Sequence, residues 1–273
     1  MTNAKNTQLQ CLHSMFVLKP SGNYGEIYRA MARFLDEGFL VVYGLGSEGF
    51  DVPKNKFENH VYSKIRESGH IDDLERRIST GALRIMDVRE IYSEGHYLYP
   101  NELLKKWTGV ITEVRRGSSD FKGIAVIAGG VKTFTDGGSQ DRLVVYEQAI
   151  LRSITELGCM EVICCYLPES LKQLAFSNLM SIAAAHQCIM ENSADHREIS
   201  YFNLLGAIRD GVEDVLGPGS ARLILQTMKI IYNLDEDAII SRPKVFEEKL
   251  RKVLGNAAQS VLDSISEKVR ELL

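Results

Sequence analysis

Asn23 to Gly46 reads NYGEIYRAMARFLDEGFLVVYGLG. Tyr24, Ile27, Ala30, Met31, Phe34 and Leu35 recur at the three-and-four spacing that lines one face of a helix, and Gly38 is placed to stop it. Phe39 to Tyr43 is then an unbroken apolar, β-rich run closed by Gly44 and Gly46. A strand without polar alternation has both faces covered, the condition of a strand inside a parallel sheet flanked by helices. The stretch therefore predicts an α/β fold.

The same alternation continues downstream. Helical patterns cover 57–68 and 71–79, each followed by glycine, and a strand pattern covers 82–88. Pro100 marks the start of a helix whose spacing runs over 102–115. Gly123 to Ala128 is a short strand closed by Gly129-Gly130, 142–157 a helix, 160–166 a strand, 169–185 a helix and 187–191 a last short strand. Strands separated by helices of this length imply right-handed crossovers and a mostly parallel sheet. The expectation is a three-layer α/β sandwich over roughly residues 1–194.

From His196 to Leu273 no strand is predicted. Helices are expected over 199–216, stopped by Gly217-Pro218-Gly219, over 221–232 with Ser220 as cap, and from Pro243 to Leu254. Ala257, Val261, Ile265 and Val269 form a four-residue stripe on a final helix. Val269, Leu272 and Leu273 fall at the chain end, where little is expected to cover them. The chain thus divides into an α/β domain over 8–194 and a small all-helical domain over 195–273. The polar stretch Glu191-Asn192-Ser193-Ala194-Asp195-His196-Arg197 joins them.

Composition narrows the function classes. The 273 residues are 45% hydrophobic and 25% charged, which excludes a disordered or fibrous chain. Net charge is −4 and the pI about 5.9. Each of the two segments carries a small acidic excess, so nucleic acid is not an expected partner. Five cysteines, an odd number, fit reduced thiols in a cytoplasm better than a disulfide framework. Met1 to Gln10 is polar and has no apolar core of a secretory signal. The longest uncharged run, Gln173 to Met190, is interrupted by Ser177, Asn178, His186 and others, and reads as a buried helix and strand, not a membrane span.

The loop Gly44-Leu45-Gly46-Ser47-Glu48-Gly49-Phe50-Asp51-Val52-Pro53-Lys54 lies where α/β proteins cradle phosphate. A working phosphate loop needs Lys-Ser/Thr directly after its last glycine. Phe50-Asp51 stands there, and Glu48 and Asp51 would repel an anion. Gly44, Gly46, Gly49 and Lys54 are therefore read as a degenerate phosphate loop that does not support ATP hydrolysis, and no enzymatic activity is expected. Cys159, Cys164, Cys165, His186 and Cys188 cluster late, but no pair shows the C-x2-C or H-x3-H spacing of a metal site, so none is expected. Glu147 follows the apolar run Leu143–Tyr146 inside a helical pattern, where it could act as a base or hold the fold together.

In this order, several features resemble the MEDS domain, the methanogen and methylotroph sensory domain. The helix and strand at 24–43 resemble its opening, with His13 matching its first histidine. Tyr92 with Tyr97-Leu98-Tyr99-Pro100, the pair Tyr146-Glu147, the strand end Cys164-Cys165-Tyr166 and the following His186 match in turn. Where the family has Tyr-Asp and His-Pro, this chain has Tyr166-Leu167 and His186-Gln187. The tail from about residue 199 resembles the Nitrosopumilus output domain family, through Val215-Leu216-Gly217, Asn233-Leu234-Asp235, Arg242-Pro243 with Phe246-Glu247, and Leu254-Gly255-Asn256-Ala257-Ala258.

The resemblances imply a RecA/KaiC-like sheet with a decayed phosphate loop, in an archaeal, cytoplasmic signal-transduction protein. Its first domain would sense a small molecule and relay it to the helical output domain. A nucleotide-binding KaiC-like ATPase and a non-catalytic assembly scaffold are the alternatives. No cofactor is required, with a nucleotide left open. The expected partners are a small-molecule ligand and either a second copy, as a dimer, or a downstream signalling protein. Strand-end position and the family match together nominate Tyr43, Glu147, Cys164, Tyr166 and His186 as ligand contacts, in a crevice at the carboxyl ends of the strands.

Overall fold

Strand β2 (Leu40–Leu45) lies inside the sheet, as its apolar run requires, with β3 (Leu83–Asp87) on one side and β4 (Ile124–Gly129) on the other. The computed structural model describes residues 12–18, 24–45, 53, 56–88, 91, 99–116, 121–129, 139–153, 156, 159–190 and 196–273. The other strands are β1 (Leu12–Val17), β5 (Cys159–Tyr166), β6 (Cys188–Met190) and β7 (His196–Glu198), in the order β3-β2-β4-β5-β1-β6-β7. All neighbours are parallel except β6 and β7. The helices of this part are α1 (Gly25–Asp36), α2 (Phe57–Ser68), α3 (Leu74–Ser79), α4 (Pro100–Arg116), α5 (Gln140–Ser153), α6 (Pro168–Lys172) and α7 (Phe176–Ala185).

The crossovers explain which helix covers which face. From β1 to β3 the chain steps toward one edge of the sheet, and from β3 onward it steps back. Right-handed connections travelling in opposite directions place their helices on opposite faces. Accordingly Tyr28, Met31, Phe57, Val61 and Leu74 of α1–α3 pack on Phe16, Val41, Tyr43, Ile127 and Cys165. Trp107, Leu143, Tyr146, Leu179 and Met180 of α4, α5 and α7 pack on Met15, Val42, Val126, Val162, Cys164 and Tyr166. Alternate residues of each strand serve the two faces. This is the expected α/β class with a mostly parallel sheet.

The remaining helices are α8 (Tyr201–Tyr232), α9 (Glu236–Ser241), α10 (Pro243–Leu254) and α11 (Ala257–Leu272). The break expected at Gly217-Pro218-Gly219 is present inside α8, where Gly217 adopts φ 74°, ψ 160°. Gly211 of α8 faces α11 so closely that a Cβ there would lie 2.6 Å from the Ile265 backbone. Along α11 the buried stripe is Ala258, Val261, Leu262, Ile265, Ser266 and Val269. Among the described residues no helix is long and apolar enough to cross a membrane.

Several expectations need correction. The strand β1 was not foreseen, although it lies between β5 and β6. The helix expected over 169–185 is two helices, because Ala175 is extended (φ −61°, ψ 153°) before α7 begins. A strand, β7, follows residue 195 after all; three residues are too few to show a period. Ser200, not Ser220, acts as a cap, accepting from the Asn203 backbone N–H at 3.1 Å. Helix α9 is additional, and Ala258 replaces the exposed Ala257 in the stripe. The chain end is better covered than expected, with Leu272 and Leu273 half-buried against the core. Val269 is fully buried, and the Leu272 carbonyl accepts from Arg197 Nη2 of β7 at 2.5 Å.

Candidate functional site

Helix α7 carries no charged residue, and eight of its ten residues are buried. A helix of that kind needs cover on every side. It has the sheet and α5 on one side and α9, α10 and α11 on the other. Its last residue is followed by His186, which is 3% exposed and turns back under the sheet. There it meets His13 of β1, Cys164 and Tyr166 of β5, and Glu147 of α5, all buried. β1 and β5 are neighbours in register, with His13 opposite Val162 and Met15 opposite Cys164, so His13 and Cys164 face the same helices.

Glu147 is the centre of this cluster. Tyr166 donates its hydroxyl to Oε1 at 2.6 Å. Oε2 faces Cys164 Sγ at 3.4 Å, His13 Nε2 at 3.3 Å and His186 Nε2 at 3.6 Å. His13 Nε2 is also 3.3 Å from Cys164 Sγ, and the two imidazole rings stack with centroids 4.2 Å apart. His13 Nδ1 is 2.9 Å from the Ala185 carbonyl, and His186 Nδ1 is 2.8 Å from the Ile182 carbonyl. A carbonyl oxygen can only accept, so both Nδ1 atoms carry protons. Both Nε2 atoms therefore point at the cluster, within 3.6 Å of Glu147 Oε2.

The electrostatics follow from burial. Burial pushes the Glu147 carboxyl up, but hydrogen bonding to His13, the neighbouring imidazoles and the Tyr166 bond outweigh it and hold the group below the ordinary range. Burial pushes His186 down to about 3, with His13 adding to the effect, so His186 is neutral at physiological pH. Burial and the Glu147 charge keep the Cys164 thiol protonated, well above its usual value. His186 Nε2 has no hydrogen-bond partner among the described residues. The site thus holds a buried carboxylate beside a neutral imidazole whose Nε2 is unmet, and a buried acceptor left unmet costs about 1–3 kcal/mol.

Four of the five nominated residues, Glu147, Cys164, Tyr166 and His186, converge here. They meet on the face of the sheet covered by α4, α5 and α7, with Cys164 and Tyr166 at the carboxyl end of β5 and His13 near the start of β1. Tyr43 does not join them. It is fully buried on the opposite face, with its ring 6.2 Å from that of Tyr28. Neither of two surface grooves, one along α2, α3 and β3 and one along α8 and α9, includes a cluster residue. Gly46, Gly49 and Lys54 of the expected degenerate loop lie outside the described residues, as do Tyr92 and Tyr97. Gly44 does have a local reason: a Cβ there would lie 2.5 Å from Val88 Cγ1, so its lack of a side chain is a matter of packing in β2. His13 was missed as a site residue. The expectation of no metal site rested on ligand pairs close in sequence, whereas His13, Glu147, Cys164 and His186, which could hold an ion, come from four separate elements.

No family model matches the chain, and no curated protein matches it. Among solved structures it is similar to the crystal structure of the flagellar accessory protein FlaH from Methanocaldococcus jannaschii. The identity is 15%, the TM-score 0.38, and the match covers 66% of this chain and 69% of that one. A likeness this distant carries nothing about function.

Proposed function

We propose that the chain is a non-enzymatic signal-relay protein of the cytoplasm, with a RecA/KaiC-like α/β domain that takes a ligand at the buried cluster and a helical domain that reports it to a downstream partner. One observation carries this reading. The helix that leads into His186, α7, is the one on which the C-terminal helices α9, α10 and α11 rest, and α5, which supplies Glu147, packs along α7. Phe176 of α7 packs on Phe246 of α10 with centroids 5.9 Å apart, and α11 lies along α7 as well. Lys244 at the start of α10 pairs with Asp141 of α5 at 2.8 Å. That pair is exposed and worth little on its own, but it marks the same seam. A change at the cluster that shifts either helix must be accommodated by α10 and α11, because packed interfaces do not deform continuously.

Hydrogen exchange on the full chain tests the relay. His186→Ala is expected to speed amide exchange in α10 and α11 as well as in β1, β5 and α7, whereas Tyr43→Phe, on the opposite face, leaves α10 and α11 unchanged. A His186→Ala effect confined to the α/β part would overturn the relay.

A further inference from the structure

We propose that His13 Nε2, Glu147 Oε2, Cys164 Sγ and His186 Nε2 form a four-coordinate site for a divalent transition metal of the zinc class. The proposal rests on the reading of the cluster as the ligand site and names the ligand; it does not need the relay.

The four ligand atoms lie within 4.8 Å of one another. The individual separations are 3.3 Å for His13–Glu147, 3.3 Å for His13–Cys164, 3.4 Å for Cys164–Glu147 and 3.6 Å for His186–Glu147. A tetrahedron with zinc bonds of about 2.0–2.3 Å has edges of about 3.3–3.8 Å, so most of the figure is already in place.

The surroundings fit as well. Metal-bound histidines ordinarily donate their second ring N–H to a carbonyl or carboxylate, which fixes the tautomer. Here Ala185 and Ile182 supply those carbonyls. Tyr166 occupies Glu147 Oε1 and leaves Oε2 for a single metal bond. The orphaned Nε2 of His186 is then satisfied.

Charge selects the ion. On binding, the Cys164 S–H bond is replaced by an S–metal bond and the proton leaves to solvent. A divalent ion, one thiolate and one carboxylate sum to zero, the condition under which a buried site avoids an uncompensated charge. Imidazole and thiolate favour zinc over the hard cations magnesium and calcium. Four protein ligands leave no open position, so the site holds and reports a metal without activating a substrate. Its burial means that the ion enters when the chain folds or the cluster opens locally.

The test uses the full chain, refolded under reducing conditions with zinc or cobalt(II). The expected result is one metal per chain. The cobalt form is expected to show the visible bands of tetrahedral coordination and a thiolate charge-transfer band. Cys164→Ser should lose the charge-transfer band and His186→Ala should bind far more weakly. Tyr166→Phe should weaken zinc by about 10–100-fold, as expected for a group that supports a ligand. Cys188→Ser, a half-exposed thiol nearby, should leave the spectrum unchanged. Wild-type chain without the tetrahedral cobalt spectrum overturns the proposal whether or not the variants fold, and so does a Cys164→Ser chain that keeps the charge-transfer band. Metal bound with no change of exchange in α10 and α11 leaves the site standing and removes the relay.

Discussion

Glu147→Ala is expected to lower the melting temperature of the full chain by about 10 °C, from a loss of about 3–5 kcal/mol. The size follows from what Glu147 does. It is 1% exposed, and Tyr166, Cys164 and His13 all direct polar atoms at it, with His186 beside them. Removing the carboxylate leaves these groups buried without their common partner, which costs more than the pairing itself contributed. Glu147→Gln keeps an oxygen for Tyr166 and should cost less. Thermal melts of both variants by circular dichroism check the prediction. A Glu147→Ala chain within about 0.5 kcal/mol of wild type, the range of an ordinary surface change, would mean that the cluster is not closed as described.

Phe246→Ala is expected to cost a similar amount, about 3–5 kcal/mol, for a different reason. Phe246 is completely buried at the seam between α10 and α7. Its removal takes apolar surface out of contact and leaves a cavity that two packed helices cannot fill without moving. Because the hydrophobic core runs without interruption from the sheet through α7 into α10 and α11, urea unfolding of wild type should show one transition. In Phe246→Ala the helical part should unfold earlier, so that helix-sensitive and sheet-sensitive probes separate. A wild-type midpoint in the variant would show that the seam does not carry the coupling.

The α/β class was legible because helix and strand periods alternate so plainly from Asn23 onward, and because β2 and β4 are apolar throughout. β1 was not, and the reason is physical. His13 and Ser14 interrupt its apolar run; His13 faces the cluster, and Ser14 donates toward Glu161 at 3.4 Å on the other side. A strand that carries a polar site breaks the pattern by which strands are recognised. The same cause hid the site. Its ligands are contributed by β1, β5, α5 and the end of α7, so spacing in the chain says nothing of their meeting. Cys164, Tyr166 and His186 could be nominated from strand ends and order alone. Tyr43 was nominated on the same ground, but a strand end does not tell which face a residue serves, and Tyr43 has the parity of Val41, toward α1 and α2. The helix 169–185 failed at Ala175, where nothing in the local sequence marks the extended residue.

X-ray absorption at the metal edge, on the full chain refolded with zinc, reads the ligands of the buried cluster themselves. One sulfur at about 2.3 Å and three nitrogen or oxygen atoms at about 2.0–2.2 Å are expected. A first shell of oxygen alone, or one without sulfur, would contradict this coordination.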